Sequence, residues 1–290
     1  MRIARKKKLI KKTISERIVY SIVFIIFCAF ALSYLYCLFW CFLSGFKTHD
    51  EVILEPFAFP EKWQFSNYTT GLTLLEVNGN TFFDMLVNSL YFSVLGAFLG
   101  VMSTCMIAYV TTKYRFKGRK IFFYISLVIM ILPIYGSGGS QYRLMYDLGF
   151  INSRWMILTA LGGLGTYYMY FNAFFKNLSW TYAEAAQIDG AGHFRTFFQV
   201  MLPQSLSMFG ALFLLTWIAE WNNYGTAIIY LGKMPTLASG IYIFQISMTF
   251  RARIDILYAA SALTLLVPLI IFAFFNKVLM SNISLGGIKE

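Results

Sequence analysis

From Ile18 to Phe46 the chain carries no charged residue. That run is longer than the roughly 20 apolar residues a helix needs to cross a bilayer. It also exceeds the short core of a cleaved signal peptide and lacks a small-residue cleavage site, so an uncleaved first span is expected. Once one span is fixed, the later apolar blocks read the same way, at about Phe83–Thr112, Ile121–Tyr135, Trp155–Phe175, Met208–Leu231 and Ile256–Met280. Only 13% of residues are charged, against about 25% in soluble domains. The expected class is an all-α membrane protein with six transmembrane helices. Residues 1–17 form a basic amino-terminal segment, 18–280 one transmembrane domain, and 281–290 a short tail.

The net charge of +11 does not point to nucleic acid, because the basic residues bunch at the edges of the apolar blocks. Such residues set orientation and meet anionic headgroups. With the amino terminus inside, all but seven of the 24 Lys and Arg fall on the cytoplasmic side; the exceptions are Lys47, Lys62, Arg143, Arg154, Lys233, Arg251 and Arg253. Both termini are therefore expected in the cytoplasm, with 47–80, a loop from about Gly136 to Arg154, and a moderately polar stretch from Gly232 to Asp255 outside. Within the second span, Gly96 and Gly100 make a small-xxx-small face. It either lets another helix approach closely or reflects the abundance of glycine in such helices.

Catalytic signatures are missing. The sequence has no phosphate-binding G-x-x-x-x-G-K-[ST] loop and no H-E-x-x-H, and its acidic residues show no spacing that pairs them. Cys28, Cys37, Cys41 and Cys105 all fall in apolar blocks and read as packing residues rather than metal ligands or disulfides. No catalytic, cofactor-binding or metal-binding residue is expected in this chain.

Between the fourth and fifth blocks, about 176–207, lies a polar, alanine-rich break. Thr181-Tyr182-Ala183-Glu184 fits a capping box opening a short helix. Ala183, Ala185 and Ala186 keep that helix thin, and Asp189-Gly190 signals a sharp turn. Phe194, Phe197, Phe198 and Met201 then follow at i, i+3, i+4 and i+7, one apolar stripe of a second helix. On local physics this is either an ordered loop with Glu184 as a cap, or a surface offered to another protein; one residue can do both.

A second cluster lies inside the fifth block. Glu220, Trp221, Asn222, Asn223 and Tyr224 place a carboxylate at membrane depth, where facing lipid costs at least about 2.5–3.5 kcal/mol. A cavity or a partner must receive it. Aromatic faces and amide groups suit a sugar ring and its hydroxyls, which makes these five residues candidates for a solute path. Interfacial anchoring of Trp221 and Tyr224, and pairing of Glu220 with another subunit, fit the same pattern.

The residues Glu184-Ala185-Ala186, Asp189-Gly190-Ala191, Val200 and Leu202-Pro203 resemble, at every defining position, the EAA loop of ATP-binding cassette (ABC) importer permeases. Asn88-Ser89, Leu132-Pro133, Leu148-Gly149, Asn152-Ser153, Trp221-Asn222 and Thr236-Leu237 look like the carbohydrate-uptake, maltose-permease-like branch. The resemblance implies a type I importer architecture, with a cytoplasmic coupling helix between spans four and five. It assigns ATPase coupling to Glu184, Ala185, Ala186, Asp189, Gly190 and Ala191. It further implies a second homologous permease, two cytoplasmic ATPase subunits holding ATP and Mg, and an external solute-binding protein. The tail Gly286-Gly287-Ile288-Lys289 is similar to family tails that approach the ATPases, although its final Glu290 departs from the common ending. The location implied is the bacterial cytoplasmic membrane, and the solute a carbohydrate such as an oligosaccharide. A proton-coupled secondary transporter using Glu220 is the alternative.

Overall fold

In the computed structural model, which describes residues 13–132, 138–250 and 253–282, helices account for nearly all regular structure. In chain order they are α1 (Ile14–Ser44), α2 (His49–Leu54), α3 (Ser66–Leu74), α4 (Phe82–Leu90), α5 (Gly96–Lys113), α6 (Arg119–Ile131), α7 (Gly138–Asp147), α8 (Thr166–Asn177), α9 (Thr181–Ile188), α10 (His193–Thr196), α11 (Leu202–Trp221), α12 (Tyr224–Tyr230), α13 (Leu237–Phe250) and α14 (Ile254–Asn282). A π turn, Tyr91–Leu95, joins α4 to α5 without a break, and a second, Phe197–Met201, joins α10 to α11. Among the described residues there is no β-strand, only one isolated bridge between Val77 and Asn80 around the Asn78-Gly79 turn.

Among the described residues, four stretches are long and apolar enough to cross a membrane: Ile14–Ser44, Phe82–Lys113, His193–Trp221 and Ile254–Phe274. The expected third span appears as the 13-residue α6, and the part expected beyond Leu132, residues 133–135, lies outside the described residues. The expected fourth span is not one helix. A 3-10 segment covers Arg154–Ala160, an irregular passage follows, and α8 begins at Thr166. Gly162, Gly163 and Gly165 fall in that passage, and Gly165 has φ of +123°, a backbone setting that ends helical geometry. The expected loop from Gly136 to Arg154 is also corrected over part of its length, because Gly138–Asp147 is the helix α7. Residues 1–12 and 283–290, which include the basic lead-in and the glycine-containing tail, lie outside the described residues.

Two apolar cores hold the bundle. One gathers Leu75, Met85, Leu214, Trp217, Trp221, Leu237 and Ile256 from α3–α4, α11, α13 and α14. The other gathers Val101, Cys105, Tyr109, Tyr168, Phe171, Phe175 and Met201 from α5, α8 and the second π turn. Helix α1 buries little beyond its last turn, although α14 packs alongside it. Its exposed Phe, Ile and Tyr side chains are what a lipid-facing surface requires. Beyond α1, the Lys47 side chain is fully buried and donates to the carbonyls of Glu55 and Pro56 at 2.8 Å each. Desolvation holds its amine below the usual lysine range, opposed in part by Glu51 and Glu55.

A close backbone approach involves the glycine face of α5. A Cβ on Gly96 would sit 3.6 Å from Ala160 Cβ, and one on Gly100 only 2.7 Å from the Ala160 carbonyl oxygen. Ser103 Oγ, one turn on, donates to the Gly162 carbonyl at 2.9 Å. The face expected to admit another helix therefore receives the end of the short 3-10 segment at Ala160 and the start of the irregular passage at Gly162. Gly100→Val should cost about 1–3 kcal/mol by overpacking. It should lower the thermal unfolding midpoint of the detergent-solubilised protein; an unchanged midpoint would show that this approach is not tight.

Candidate functional site

The alanine-rich break folds as α9 followed by a reversal. Its amino terminus differs from the expected capping box. Thr181 is the first helical residue rather than the cap, and Ser179 Oγ receives the Thr181 N–H at 3.3 Å. Glu184 consequently makes no capping bond and points into solvent, leaving its carboxylate available to another surface. The carboxyl end is a Schellman motif. Gly190 N–H bonds the Gln187 carbonyl at 3.0 Å, and Ala191 N–H bonds that of Ala186 at 2.9 Å. That geometry requires a left-handed residue at Gly190, whose φ is +80°.

Only Ala183 of this helix is buried, fully, in the core formed by α5 and α8. Glu184, Ala185, Asp189 and Gly190 are exposed, and Ala186 and Ala191 half-buried. The six residues singled out from sequence thus share one short, thin, water-facing element. Two apolar side chains stand beside them with nothing over them: Ile188 is 85% exposed and Tyr182 53%. Isolated apolar exposure is ordinary, and these two side chains lie next to the six residues on the same exposed projection.

The stripe expected on the next helix is split. Phe197 and Met201 are buried, whereas Phe194 and Phe198 are exposed. The π turn from Phe197 to Met201 explains the division, because its wider pitch removes the i, i+3 register of an α-helix. That helix is also not a separate piece lying under the bundle. It runs on without a loop from His193 to Trp221, with Pro203, which has no N–H to give, directly after the π turn where the bonding register changes. Around its start, Tyr114 is hydrogen-bonded to His193 Nδ1 at 3.0 Å and meets Trp180 edge-on.

The five residues 220–224 are dispersed around the other end of α11. Glu220 and Asn223 share a cleft with Phe92, Met156, Ile157 and Thr159; the Asn223 amide reaches Glu220 Oε2 at 3.5 Å while its Oδ1 caps α12. The cleft holds only about 60 Å³, room for a water or two rather than a sugar. Trp221 is buried against Trp217 and forms wall rather than lining. Asn222 bonds back to the Ile218 carbonyl, and Tyr224 stacks on Tyr242 at 4.6 Å.

A larger cavity, of about 480 Å³, was missed in the sequence. Thr104, Thr166, Tyr167 and Thr216 face it, and the backbone from Ala160 to Leu164 forms part of its wall. Thr216 lies four residues before Glu220, on the same face of α11. Non-helical backbone at membrane depth is tolerated where it lines such a space. The available signal was Gly162-Gly163-Leu164-Gly165 inside an apolar block.

Comparison with known proteins agrees with this architecture. The profile of the family described as binding-protein-dependent transport system inner membrane component matches residues 9–284. The diacetylchitobiose uptake system permease protein NgcG of Streptomyces coelicolor is 28% identical over 254 residues, covering 86% of this chain and 82% of that one. The arabinooligosaccharides transport system permease protein AraQ of Bacillus subtilis is 28% identical over 266 residues, covering 91% and 93%. A chain of a bacterial ABC transporter involved in the import of the acidic polysaccharide alginate superposes with a TM-score of 0.72, at 22% identity, over 92% of this chain and 98% of that one.

A β-branched residue at Gly190 would be forced into the left-handed region at a cost of about 1–2 kcal/mol. Gly190→Val should therefore speed amide hydrogen exchange across residues 183–191 by about tenfold while leaving α11 unchanged. Equal exchange in both proteins would mean that the reversal is not held by this glycine.

Proposed function

The chain belongs to the family of inner membrane components of binding-protein-dependent transport systems, and from that premise we propose that it is one half of the membrane pathway of an ATP-driven carbohydrate importer. The observation that carries the reading is the exposed, Schellman-closed α9 with Glu184, Ala185, Ala186, Asp189, Gly190 and Ala191 on it. These residues seat in a cleft of a cytoplasmic ATPase. The fold agreement with an ABC importer chain supports that role. Residues 18–280 then form six spans, α6 and the 3-10–α8 pair supplying the third and fourth, with both termini and the loop at 176–207 in the cytoplasm. A second homologous permease completes the pathway, two ATPase subunits hold ATP and Mg, and an external binding protein delivers the solute. This chain contributes translocation and no chemistry of its own.

An oligosaccharide is the solute class favoured by the names of NgcG and AraQ. Its path runs along the α11 face that carries Thr216 and Glu220, past the glycine-rich passage, with Asn222, Asn223 and Tyr224 near the mouth and Trp221 backing them. The small cleft at Glu220 corresponds to a closed stage. Coupling requires the ATPase to contact α9 differently in its two nucleotide states, since equal binding to both shifts nothing. Ala183 in the core and the unbroken helix from His193 carry that difference inward. A proton-coupled transporter draws no support from the family match.

Ile188 makes no packing contribution that its exposure would hide, so Ile188→Asp should fold normally yet fail to co-purify with the ATPase. Retention of the ATPase by that variant would sink the docking role of α9. Glu220→Ala should lower solute uptake at least about tenfold in an intact complex, and undiminished uptake would remove Glu220 from the path.

A further inference from the structure

One polar feature at the α9 end of the bundle has no part in that reading. The chain leaves α5 at Lys113, turns, and starts α6 at Arg119, while α8 runs alongside both. Between the three helices lies a cavity of about 380 Å³, within the ~300–1,000 Å³ range of small-ligand sites. Its floor is a chain of hydrogen-bonded side chains. Thr111 Oγ1 is 2.9 Å from the Tyr168 hydroxyl, and the Asn172 amide donates to Thr112 Oγ1 at 2.9 Å and to Tyr168 at 3.4 Å. Tyr168 and Asn172 are both buried. Three cations stand around this floor: Arg119, Lys120 and Lys176. The Lys176 ammonium lies 4.7 Å from the centre of the Phe123 ring.

No carboxylate balances them. The sequence has no Asp or Glu between Asp84 and Asp147, nor between Asp147 and Glu184, so neither segment that builds the cavity carries one. None of the ion pairs among the described residues involves Arg119, Lys120 or Lys176. Lys120 and Lys176 are exposed and Arg119 is half-buried, its guanidinium donating to the Tyr114 carbonyl at 3.2 Å. Three like charges around one space repel, and an anion placed among them relieves that repulsion. The neutral donors of the floor suit an anion with several oxygens, as in a phosphate ester. The surroundings select its source. From the cationic rim, α6 presents Ile121, Tyr124, Ile125 and Val128 outward, all exposed. An apolar surface leading directly from a cationic pocket at a helix end matches a phospholipid, tails along the helix and headgroup in the pocket.

We infer that the cavity between α5, α6 and α8 binds the phosphate headgroup of an anionic bilayer lipid. The orientation proposed above puts this lipid in the cytoplasmic leaflet; the headgroup chemistry rests on the cavity alone. A lipid held there ties α6 to α8, the helix that leads into α9, so the anionic lipid content of the membrane acts on the coupling loop.

The test uses the full-length chain with its co-purifying subunits in nanodiscs of phosphatidylcholine, with phosphatidylglycerol titrated in and bound lipid counted by native mass spectrometry. Saturable retention of phosphatidylglycerol is expected. Affinity should fall at least about tenfold in Arg119→Gln/Lys120→Gln/Lys176→Gln, and persist in Lys176→Arg and in Lys117→Gln, whose charge lies in the same turn outside the cavity. Thermal unfolding checks that each variant is folded; should the triple variant not fold, Arg119→Gln alone must still weaken retention about threefold. Equal retention by the neutralised variants overturns the inference. So does displacement of the lipid by millimolar inorganic phosphate or glycerol 3-phosphate, which would mark a site for soluble anions. Loss of the ATPase with lipid retention intact would count against the proposed function and leave this site standing.

Discussion

One short turn, Leu231–Thr236, is where most of the Glu220 end of the bundle is tied together, and side chains from three other segments supply its hydrogen bonds. Asn78 and Asn80 donate to the carbonyls of Gly232 and Lys233 at 2.8 and 3.3 Å. Asn88 donates to Pro235 at 3.1 Å, and Ser89 accepts the Leu237 N–H at 2.7 Å. Asn152, in a left-handed backbone setting, accepts the Lys233 N–H while its own N–H bonds the Tyr230 carbonyl. At the buried Pro235 and Leu237 an unmet group would cost about 1–3 kcal/mol, while the bonds at Gly232 and Lys233 lie on the exposed side of the turn. The asparagines therefore tie α4 and the turn before the 3-10 segment to the α12–α13 connection.

This gives a structural meaning to residues that, by resemblance, marked the carbohydrate-uptake branch. Asn88-Ser89, Asn152-Ser153 and Thr236-Leu237 touch no cavity large enough for a solute. They are the clamp itself, with Ser153 capping the 3-10 segment and Thr236 and Ser239 exchanging bonds at the start of α13. With that end fixed, the irregular passage from Leu161 to Gly165 can stay non-helical beside the larger cavity, braced by the bare glycine face of α5. Gly100 and Gly162 permit a backbone-to-backbone approach that any side chain would prevent.

How much of this was legible depended on whether a residue acts locally. The apolar run of α1, the small face at Gly96 and Gly100, and the turn at Asp189-Gly190 are set by nearest neighbours, and the sequence displayed them. The break in the expected fourth span was written in Gly162, Gly163 and Gly165, but apolar neighbours outweighed them in a reading based on hydropathy. The split stripe at Phe194–Met201 was hidden, because an α-helical period was assumed where a π turn intervenes. Thr181 yielded the cap to Trp180, because Ser179 Oγ takes the Thr181 N–H and sits 2.8 Å from its hydroxyl, drawing Thr181 into the first helical turn. The scattering of 220–224 arises from the tight turn at Asn222-Asn223, which sends consecutive side chains to different walls. Long-range pairings such as Asn152 with Lys233 had no signal in a single sequence.

The unbroken helix from His193 to Trp221 has a mechanical consequence. Its 29 residues make a rod about 43 Å long, at about 1.5 Å of rise per residue. Tilting such a rod by one degree about its midpoint swings each tip by ~0.4 Å, given that rise per residue. A few degrees imposed at His193 thus displaces Glu220 by more than an ångström in the opposite direction when the π turn and Pro203 stay stiff.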